Sequence, residues 1–500
     1  MRQEAGNKMV WTLRWRGMIH MWVYPNNWIP TKSLDEMANT EYDVLIVGSG
    51  AGGGAMLYRL CELWRNQGAK KIGILEKGDK LFHSHALNIP TMNVDRMRDQ
   101  LWPDNSTPIG ERLPEFSGAR LTFALGGRTL FWNAACPRPA EFQLQSWPVH
   151  PAELDAYFRT AERVLHCTTS YADGSSMQKV LMNRLHAGGV LEATDMPLAI
   201  DMRGPRMGEI HSNAWFSSIH FLAYALNDRP FDLTVNAYTT RVLVENGKAS
   251  GVSVISPDKK THTIRAKNIV ISASTLETPR ILLNSGIQGA AIGRYLTNHS
   301  FVLGTGKISR REFSDNLGNL AILKRETRES PYQIQILGPN QFFSYQQFEE
   351  KVLPDQLSIV YAAFGLVESR PENRVYLDPN RQDEYGVPLN QVDFSYSNKD
   401  YTVIQQMRDG IARSANAMGV TLDGEPTLFP PGSDVHESCT CRMGTDPATS
   451  ATNRYGEIHG VSGLYVADNS VIPVLAAANP TNSTVALAFR TADHIVRTNR

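Results

Sequence analysis

The sequence predicts an α/β fold: a discontinuous Rossmann-like domain interleaved with an α+β domain built on an antiparallel sheet. Three observations predict it. Residues Glu41 to Gly78 read EYDVLIVGSGAGGGAMLYRLCELWRNQGAKKIGILEKG, a strand, a glycine turn, a helix and a second strand. Short apolar strand text returns much later, at Asn268 to Ser272 and again at Leu464 to Ala467. A return that late implies that the first domain is assembled from separated segments. Residues 301–432 alternate apolar and polar positions (FVLGTGKIS, YQIQILGP, QLSIVYAAFGLV, RVYLDP, VDFSYS), the pattern of an antiparallel sheet with one face on solvent or a ligand.

The first element is the most specific. Val44 to Val47 is long enough for one buried parallel strand. Gly48, Gly50 and Gly53 follow in G-x-G-x-x-G spacing. Gly48 permits the tight turn, Gly50 keeps side-chain atoms away from a pyrophosphate, and Gly53 lets the helix pack closely on the sheet. Met56, Leu57, Leu60, Leu63 and Trp64 recur at helical spacing, so the helix aims its N–H groups and positive dipole end at the phosphates. Glu76, ending the second strand Ile72 to Leu75, is placed to accept hydrogen bonds from a ribose diol. This stretch predicts a dinucleotide and does not separate FAD from NAD.

The remaining elements follow in order. Gly126 and Gly127 interrupt the apolar run FALGGRTLFWNAACPRP, marking close approach of the backbone to something. Phe131 and Trp132 suit either the cover of a flat ring or an aromatic core turn. His150-Pro151-Ala152-Glu153-Leu154 starts a helix, with Leu154, Tyr157, Phe158 and Ala161 on one face. Asn213 to Ala225, rich in Ser, His and aromatics, fits a polar pocket lining and a surface loop equally. Strands are expected at Leu233 to Val235, Thr240 to Val244, Val252 to Ile255 and Thr261 to Ile264, with a tight turn at Asn246-Gly247. A helix through Leu276, Ile281 and Leu282 stops at Gly286. Tyr401 to Met418 reads as a helix.

The domain boundaries that result are an N-terminal arm (1–40), the Rossmann-like part in three segments (41–145, 228–300, 433–500), and an interleaved part in two (146–227, 301–432). Position assigns the interleaved part to substrate binding.

Composition narrows the class. Fifty basic and fifty acidic side chains cancel, so no overall field draws the protein to nucleic acid or an anionic membrane. Five cysteines without zinc-site spacing predict no metal site and suit a reducing, cytoplasmic compartment. Trp11, Trp15, Trp22 and Trp28 crowd the arm, where Arg14 and Arg16 break any apolar span. Packing on its own domain, a subunit contact that would make a homo-oligomer, and interfacial membrane attachment all suit such an arm.

The last seventy residues carry the chemistry. Leu464 to Ala467 is a strand ended by Asp468. Asn479-Pro480-Thr481 precedes a helix with Val485, Ala488, Phe489, Ala492 and Val496 on one face. Its positive end would stabilise negative charge lying before it. His436 suits the base that alcohol oxidation needs near neutral pH, while its bland alternative is a structural histidine. His459 competes on type but lies just before the strand, at the end expected to be remote.

The combined pattern resembles the glucose–methanol–choline (GMC) flavin oxidoreductase family. It consists of VGSGAGG with Glu76, GGRTLFW, IVISASTLETPRILLNSGI, IGRYLTNH, H-x-x-x-T-x-R-M-G-T, HGVSGLYVADNSVIP and ANPTNST, in that order. The resemblance implies FAD rather than NAD, and hydride transfer from a primary or secondary alcohol to the flavin, whose electrons then pass to oxygen or another acceptor. It implies a catalytic pair, His436 as base and Asn479 as hydrogen-bond partner of the substrate oxygen. It implies FAD contacts at Gly48, Gly50, Gly53, Glu76, Gly126, Gly127, Thr129, Trp132, Val242, Asp468, Asn469 and Thr481. Trp132 stands where many members have Asn, and with A-N-P-T-x-T it resembles the pyranose oxidase branch, which implies a small sugar or glycoside substrate. Some of that branch attach FAD through a His just before the Trp; Phe131 holds that place, which implies noncovalent FAD. Asn469 stands where many members have Ala. Two other readings carry their own tests: an NAD-dependent dehydrogenase would lack a flavin spectrum, and a noncatalytic flavin-binding protein would lose no turnover on mutation of His436.

Overall fold

The computed structural model describes residues 28–89, 91–109, 114–203, 214–313, 317–339 and 354–499, with the backbone of 14–15 and 18–19. It divides into two compact units, Met1–Thr31 and Lys32–Arg500. In the first, Arg14–Trp15 pairs antiparallel with Met18–Ile19. The three readings of the Trp-rich arm lie largely outside the described residues.

The boundary expected at residue 40 falls earlier. Leu34–Ala38 is a short helix started by a capping box, Ser33 with Glu36. Met37 is fully buried, and the Lys32 N–H donates to the Leu233 carbonyl at 2.8 Å. Residues 32–40 therefore belong with the large unit.

The first sheet of that unit has a parallel core, ordered Asp232–Thr234, Ile72–Leu75, Glu41–Val47, Thr261–Ile271, with Leu464–Val466 alongside the far half of the last. Three segments distant in sequence thus supply one sheet, as the returning strand text predicts. The sequence text sets Thr261–Ile264 apart from Asn268–Ser272; the structure runs one strand, Thr261–Ile271, through both. Its first half pairs antiparallel with Lys248–Ile255, while its second half lies between Glu41–Val47 and Leu464–Val466. Burial alternates in the first half and is continuous in the second. The polar break at Arg265-Ala266-Lys267 is the change from a half-exposed to a fully enclosed strand. Asn246 and Gly247, at φ 51° and 75°, make the tight hairpin that joins Tyr238–Glu245 to Lys248–Ile255.

The second sheet is antiparallel: Ala193–Asp195, Leu320–Lys324, Tyr332–Gly338, Gln356–Gly365 and Ser300–Ser309, edged by Thr421–Leu422 and Thr427–Leu428. One face is a core with two helices: Ile334, Ile336, Ile359 and Tyr361 meet Met177, Leu181, Leu185, Ile404, Met407 and Ile411. The helix expected from Tyr401 begins at Asn398, because Ser397 and Asp400 form a capping box. It ends at Gly419, φ 75°, a left-handed C-cap.

The helices of 146–227 do not all belong with the antiparallel part. Pro151–Leu165 packs on the C-terminal helix, with Glu153 on Arg490 at 2.7 Å and Tyr157 donating to Asp493 at 3.0 Å. Ser218–Asp228 packs on the glycine-turn helix, its Ser218 Oγ filling the place a Cβ at Gly54 would take. Of the described elements in this span, only Ser176–Ala187 and Ala193–Asp195 join the antiparallel sheet. The sequence shows amphipathic faces here, and an amphipathic face does not name its partner.

No helix among the described residues is long and apolar enough to cross a membrane.

Candidate active site

A cavity of about 1100 Å³ lies between the two sheets, larger than the ~300–1,000 Å³ typical of a single small-ligand pocket. At one end is the glycine turn. Gly48 has φ 97°, and a Cβ there would lie 2.2 Å from the Ser272 carbonyl oxygen. Gly50 begins Ala51–Leu63 without a side-chain cap, which leaves the first helical N–H groups for another partner. The helix is seated tightly: Cβ atoms at Gly52 and Gly53 would fall 1.6 Å from Ala467 O and 1.9 Å from Gly48 O. Gly48, Gly50, Glu76, Gly127, Thr129, Trp132, Asp468, Asn469 and Thr481 line the cavity.

Each of these is held from behind. Glu76 accepts from Ser49 N–H (3.0 Å), Ser49 Oγ (2.6 Å) and Gly78 N–H (2.9 Å), and burial pushes its carboxyl up. Asp468 accepts from Ser274 N–H (3.0 Å) and Thr278 Oγ1 (2.5 Å), and burial raises it also. Thr129 donates to Gly126 O (2.6 Å) and accepts from Ser218 N–H (2.8 Å). Trp132 Nε1 donates to Phe216 O at 2.7 Å, which fixes the ring at the cavity wall. Asn469 accepts from Thr484 Oγ1. Thr481 opens the helix Thr481–Thr498, which has no side-chain cap.

Three expected contacts lie off the lining. Gly53 serves the packing of its helix. Gly126 donates its N–H to Ser49 Oγ at 2.9 Å and turns the chain at φ 96°. Val242 has a buried side chain, and its N–H donates to Ser285 Oγ at 2.8 Å. The strand Tyr238–Glu245 meets the cavity only at its start, through Tyr238 and Thr239.

At the other end, 43 positions apart in sequence, His436 Nε2 and Asn479 Nδ2 lie 3.2 Å from each other. Their surroundings fix the protons. The Ala476 carbonyl can only accept, so His299 Nε2, 2.7 Å away, carries the proton. Burial holds His299 down at about 4, hence neutral, and its Nδ1 keeps a lone pair. His436 Nδ1 is 3.0 Å from that lone pair and must donate to it. This leaves His436 Nε2 unprotonated and facing Asn479. Burial, then neighbouring His299 and Arg128, push the His436 imidazole well below the ordinary histidine value.

Asn479 is fixed just as firmly. Gln333 and Gln335 donate to its Oδ1 at 2.8 and 2.6 Å, which turns its NH₂ toward His436. Asp434 accepts from His299 N–H (2.8 Å) and Asn298 (3.1 Å), with Oδ2 3.9 and 3.8 Å from the two histidine Nδ1 atoms. Burial, with Glu437 beside it, pushes Asp434 up to about 7. Arg128, at the cavity, pairs with the fully buried Glu437 at 2.7 Å. The ligand atoms of His299, Asp434 and His436 lie within 4.8 Å of one another, a cluster of metal-binding type that no sequence spacing reveals. Here the two Nδ1 atoms are joined by a hydrogen bond.

His459 sits apart, its Nε2 3.0 Å from Ser450 Oγ and off the cavity lining, as expected. His299, Gln333, Gln335 and Asp434 were not singled out from sequence. Two glutamines at alternate positions of the apolar strand text YQIQILG were a readable signal. His299 and Asp434 had none beyond their place in motifs.

The arrangement presents a neutral imidazole lone pair and an amide donor to the same point of the cavity. That is the equipment for taking a proton from a hydroxyl whose oxygen is held in place. The opposite end offers a side-chain-free turn and two helix starts to an anionic, dinucleotide-shaped group.

Comparison with known proteins gives the family and its relatives. The GMC oxidoreductase family models match residues 42–301 and 369–488. The C-glycoside 3-oxidase of Arthrobacter globiformis is 31% identical over 399 residues, covering 75% of this chain and 74% of the relative. The pyranose 2-oxidase of Tricholoma matsutake is 26% identical over 444 residues, covering 81% and 78%. Formate oxidase of Aspergillus oryzae superposes with a TM-score of 0.66 at 15% identity, over 92% of this chain and 98% of that one, which is a likeness of fold.

Proposed function

The chain belongs to the GMC oxidoreductase family, FAD-dependent enzymes that oxidise CH–OH donors, and from that premise we propose that it oxidises a hydroxyl of a sugar or glycoside. The observation that carries the reading is the 3.2 Å pairing of His436 Nε2 with Asn479 Nδ2 in the cavity that the glycine turn also lines. FAD, when bound, supplies the acceptor for a hydride from the carbinol carbon and passes two electrons on to oxygen or another acceptor.

Gly48, Gly50 and the start of Ala51–Leu63 would hold the pyrophosphate, and Glu76 the ribose. Gly127, Thr129, Trp132, Asp468, Asn469 and Thr481 would line the ring system. Phe131, which offers no atom for covalent attachment, stands where some of the pyranose oxidase branch carry the attaching His, and this supports a noncovalently held cofactor. Acid precipitation then yields a colourless protein pellet; a yellow one would contradict this.

His436 acts as the base. Its Nε2 accepts the hydroxyl proton while Asn479 Nδ2 donates to the same oxygen. His299 keeps His436 in the one tautomer that can accept from the cavity. Asp434 lies close enough to both rings to stabilise the imidazolium that forms. The pyranose-oxidase-like Trp132 and the Ala478–Thr481 text favour a sugar or glycoside over a simple alcohol.

The test is anaerobic flavin bleaching against free sugars, glycosides, amino sugars and simple alcohols. Bleaching by a sugar or glycoside is expected. Bleaching by aliphatic or aromatic alcohols alone would reject the sugar reading and leave an alcohol dehydrogenase of the same family.

A further inference from the structure

The antiparallel sheet turns alternate residues of each strand to the cavity, and its register lines them up in rows. The deepest row is Phe301, Phe364 and Gln333. Phe364 packs on the His436 ring, centroids 5.1 Å apart, so this row lies at the catalytic pair. The next row is Leu303, Ala362 and Gln335, and the third is Thr305, Val360 and Leu337. Lys307 and Ser358 then mark the solvent edge.

Thr305 apart, the polar side chains of these three rows, Gln333 and Gln335, lie in the two inner ones. Both glutamine amide nitrogens are already engaged by Asn479. Beyond them Leu303, Val360 and Leu337 give a cavity-lining strip of alkyl surface, only partly buried, with Phe429 beside it at 36% exposure. Phe429 packs on Phe301 at 5.5 Å, so the aromatic surface is continuous from the strip to the catalytic row. The three rows together extend over roughly 13 Å of strand, from Phe301 to Thr305, taking ~3.3 Å per residue.

A free sugar seated at His436 has hydroxyls around its whole ring. Any ring or substituent extending along the strip would set most of its hydroxyls against Leu303, Val360 and Leu337, with the single Thr305 hydroxyl to share on these rows, which is unfavourable. The rows carry no carboxylate, so they offer nothing to a polycationic amino sugar either.

We infer that Leu303, Val360 and Leu337, with Phe429, form a subsite for an apolar aglycone. The preferred substrate is then a glycoside whose sugar hydroxyl meets His436 and Asn479 while an aryl group lies along the outer rows. This rests on the sugar-or-glycoside reading above.

The test compares one sugar in three forms, free, methyl glycoside and phenyl glycoside, by anaerobic flavin bleaching of the holoenzyme. The phenyl glycoside is expected to exceed the free sugar in kcat/KM by roughly 10–200-fold, the range for apolar pocket contacts. Leu303→Asn and Leu337→Asn should each narrow the phenyl-to-methyl ratio, with the retained flavin spectrum showing that the variant is folded. Equal rates on all three forms would overturn the aglycone subsite and leave the sugar reading intact. An unaltered ratio in both folded variants would do the same. Failure of every sugar and glycoside, with bleaching by a simple alcohol, would overturn both.

Discussion

His299 Nδ1 and His436 Nδ1 lie 3.0 Å apart, and one proton is shared between them. Ala476 decides its owner by occupying the other nitrogen of His299. The consequence reaches the cavity: His436 Nε2 is left as an acceptor.

His436→Ala removes that acceptor. Flavin reduction by substrate should slow by roughly 10²–10⁴-fold, the range for loss of a general base. FAD should stay bound, since His436 is at the far end of the cavity from the glycine turn. Undiminished reduction, followed by stopped-flow absorbance, would return the protein to the noncatalytic class.

His299→Leu should slow reduction less, by roughly ten- to a hundredfold, because it removes an orienting partner rather than the base. Burial holds the His436 imidazole low in either case, and losing the acceptor for its Nδ1–H disfavours the imidazolium, so the acid limb of the rate profile should move further below the ordinary value of about 6.5. His299→Gln supplies a carbonyl for the Nδ1 proton and should recover most of the rate. A merely structural role would give neither the moved limb nor the recovery.

The pH dependence has a definite sign. His436 is pushed below its ordinary value by burial, His299 and Arg128, so the base stays neutral through the usual histidine range. The rate of flavin reduction should be flat from pH 8 to about 6.5 and fall only below it. Stability follows the same direction. His299 titrates near 4 folded against about 6.5 unfolded, so its contribution is present above 6.5 and is lost as pH falls toward 4. Asp434 acts oppositely: raised to about 7, it contributes fully below about 3.9 and loses that contribution as pH rises through 7. Asp434→Asn should therefore flatten the loss of Tm on the alkaline side of that window.

Gln335→Leu frees one lone pair of Asn479 Oδ1 and lets the amide turn. The NH₂ would no longer be directed at the substrate oxygen, and kcat should fall several-fold more than KM rises. A change in KM alone, from steady-state kinetics, would mean that Gln335 binds substrate directly instead.

Gly52→Ala tests the seat of the first helix. The added Cβ would lie 1.6 Å from Ala467 O, a backbone atom. The helix must back away from the Leu464–Val466 strand end, costing about 1–3 kcal/mol or more. Weaker FAD retention on gel filtration and a lower Tm are expected together.

The sequence by itself determined the strand–turn–helix at Glu41–Gly78, the discontinuous parallel sheet and the alternation of 301–432. Each rests on a local rule: glycine where the backbone must turn or approach, apolar residues at the period of their element. It also supplied His436 and Asn479, through a resemblance carried by motif order. The tertiary structure alone decided the rest. Val242 lies off the cavity lining because its strand meets the space only at its start. The helices of 146–227 divided between two sheets because an amphipathic face fits any apolar partner. His299, Gln333 and Gln335 join the site through contacts spanning 137 to 146 positions. Hydrogen bonds at that separation leave no periodicity in the chain, so the tautomer that leaves His436 Nε2 an acceptor is a property of the folded molecule.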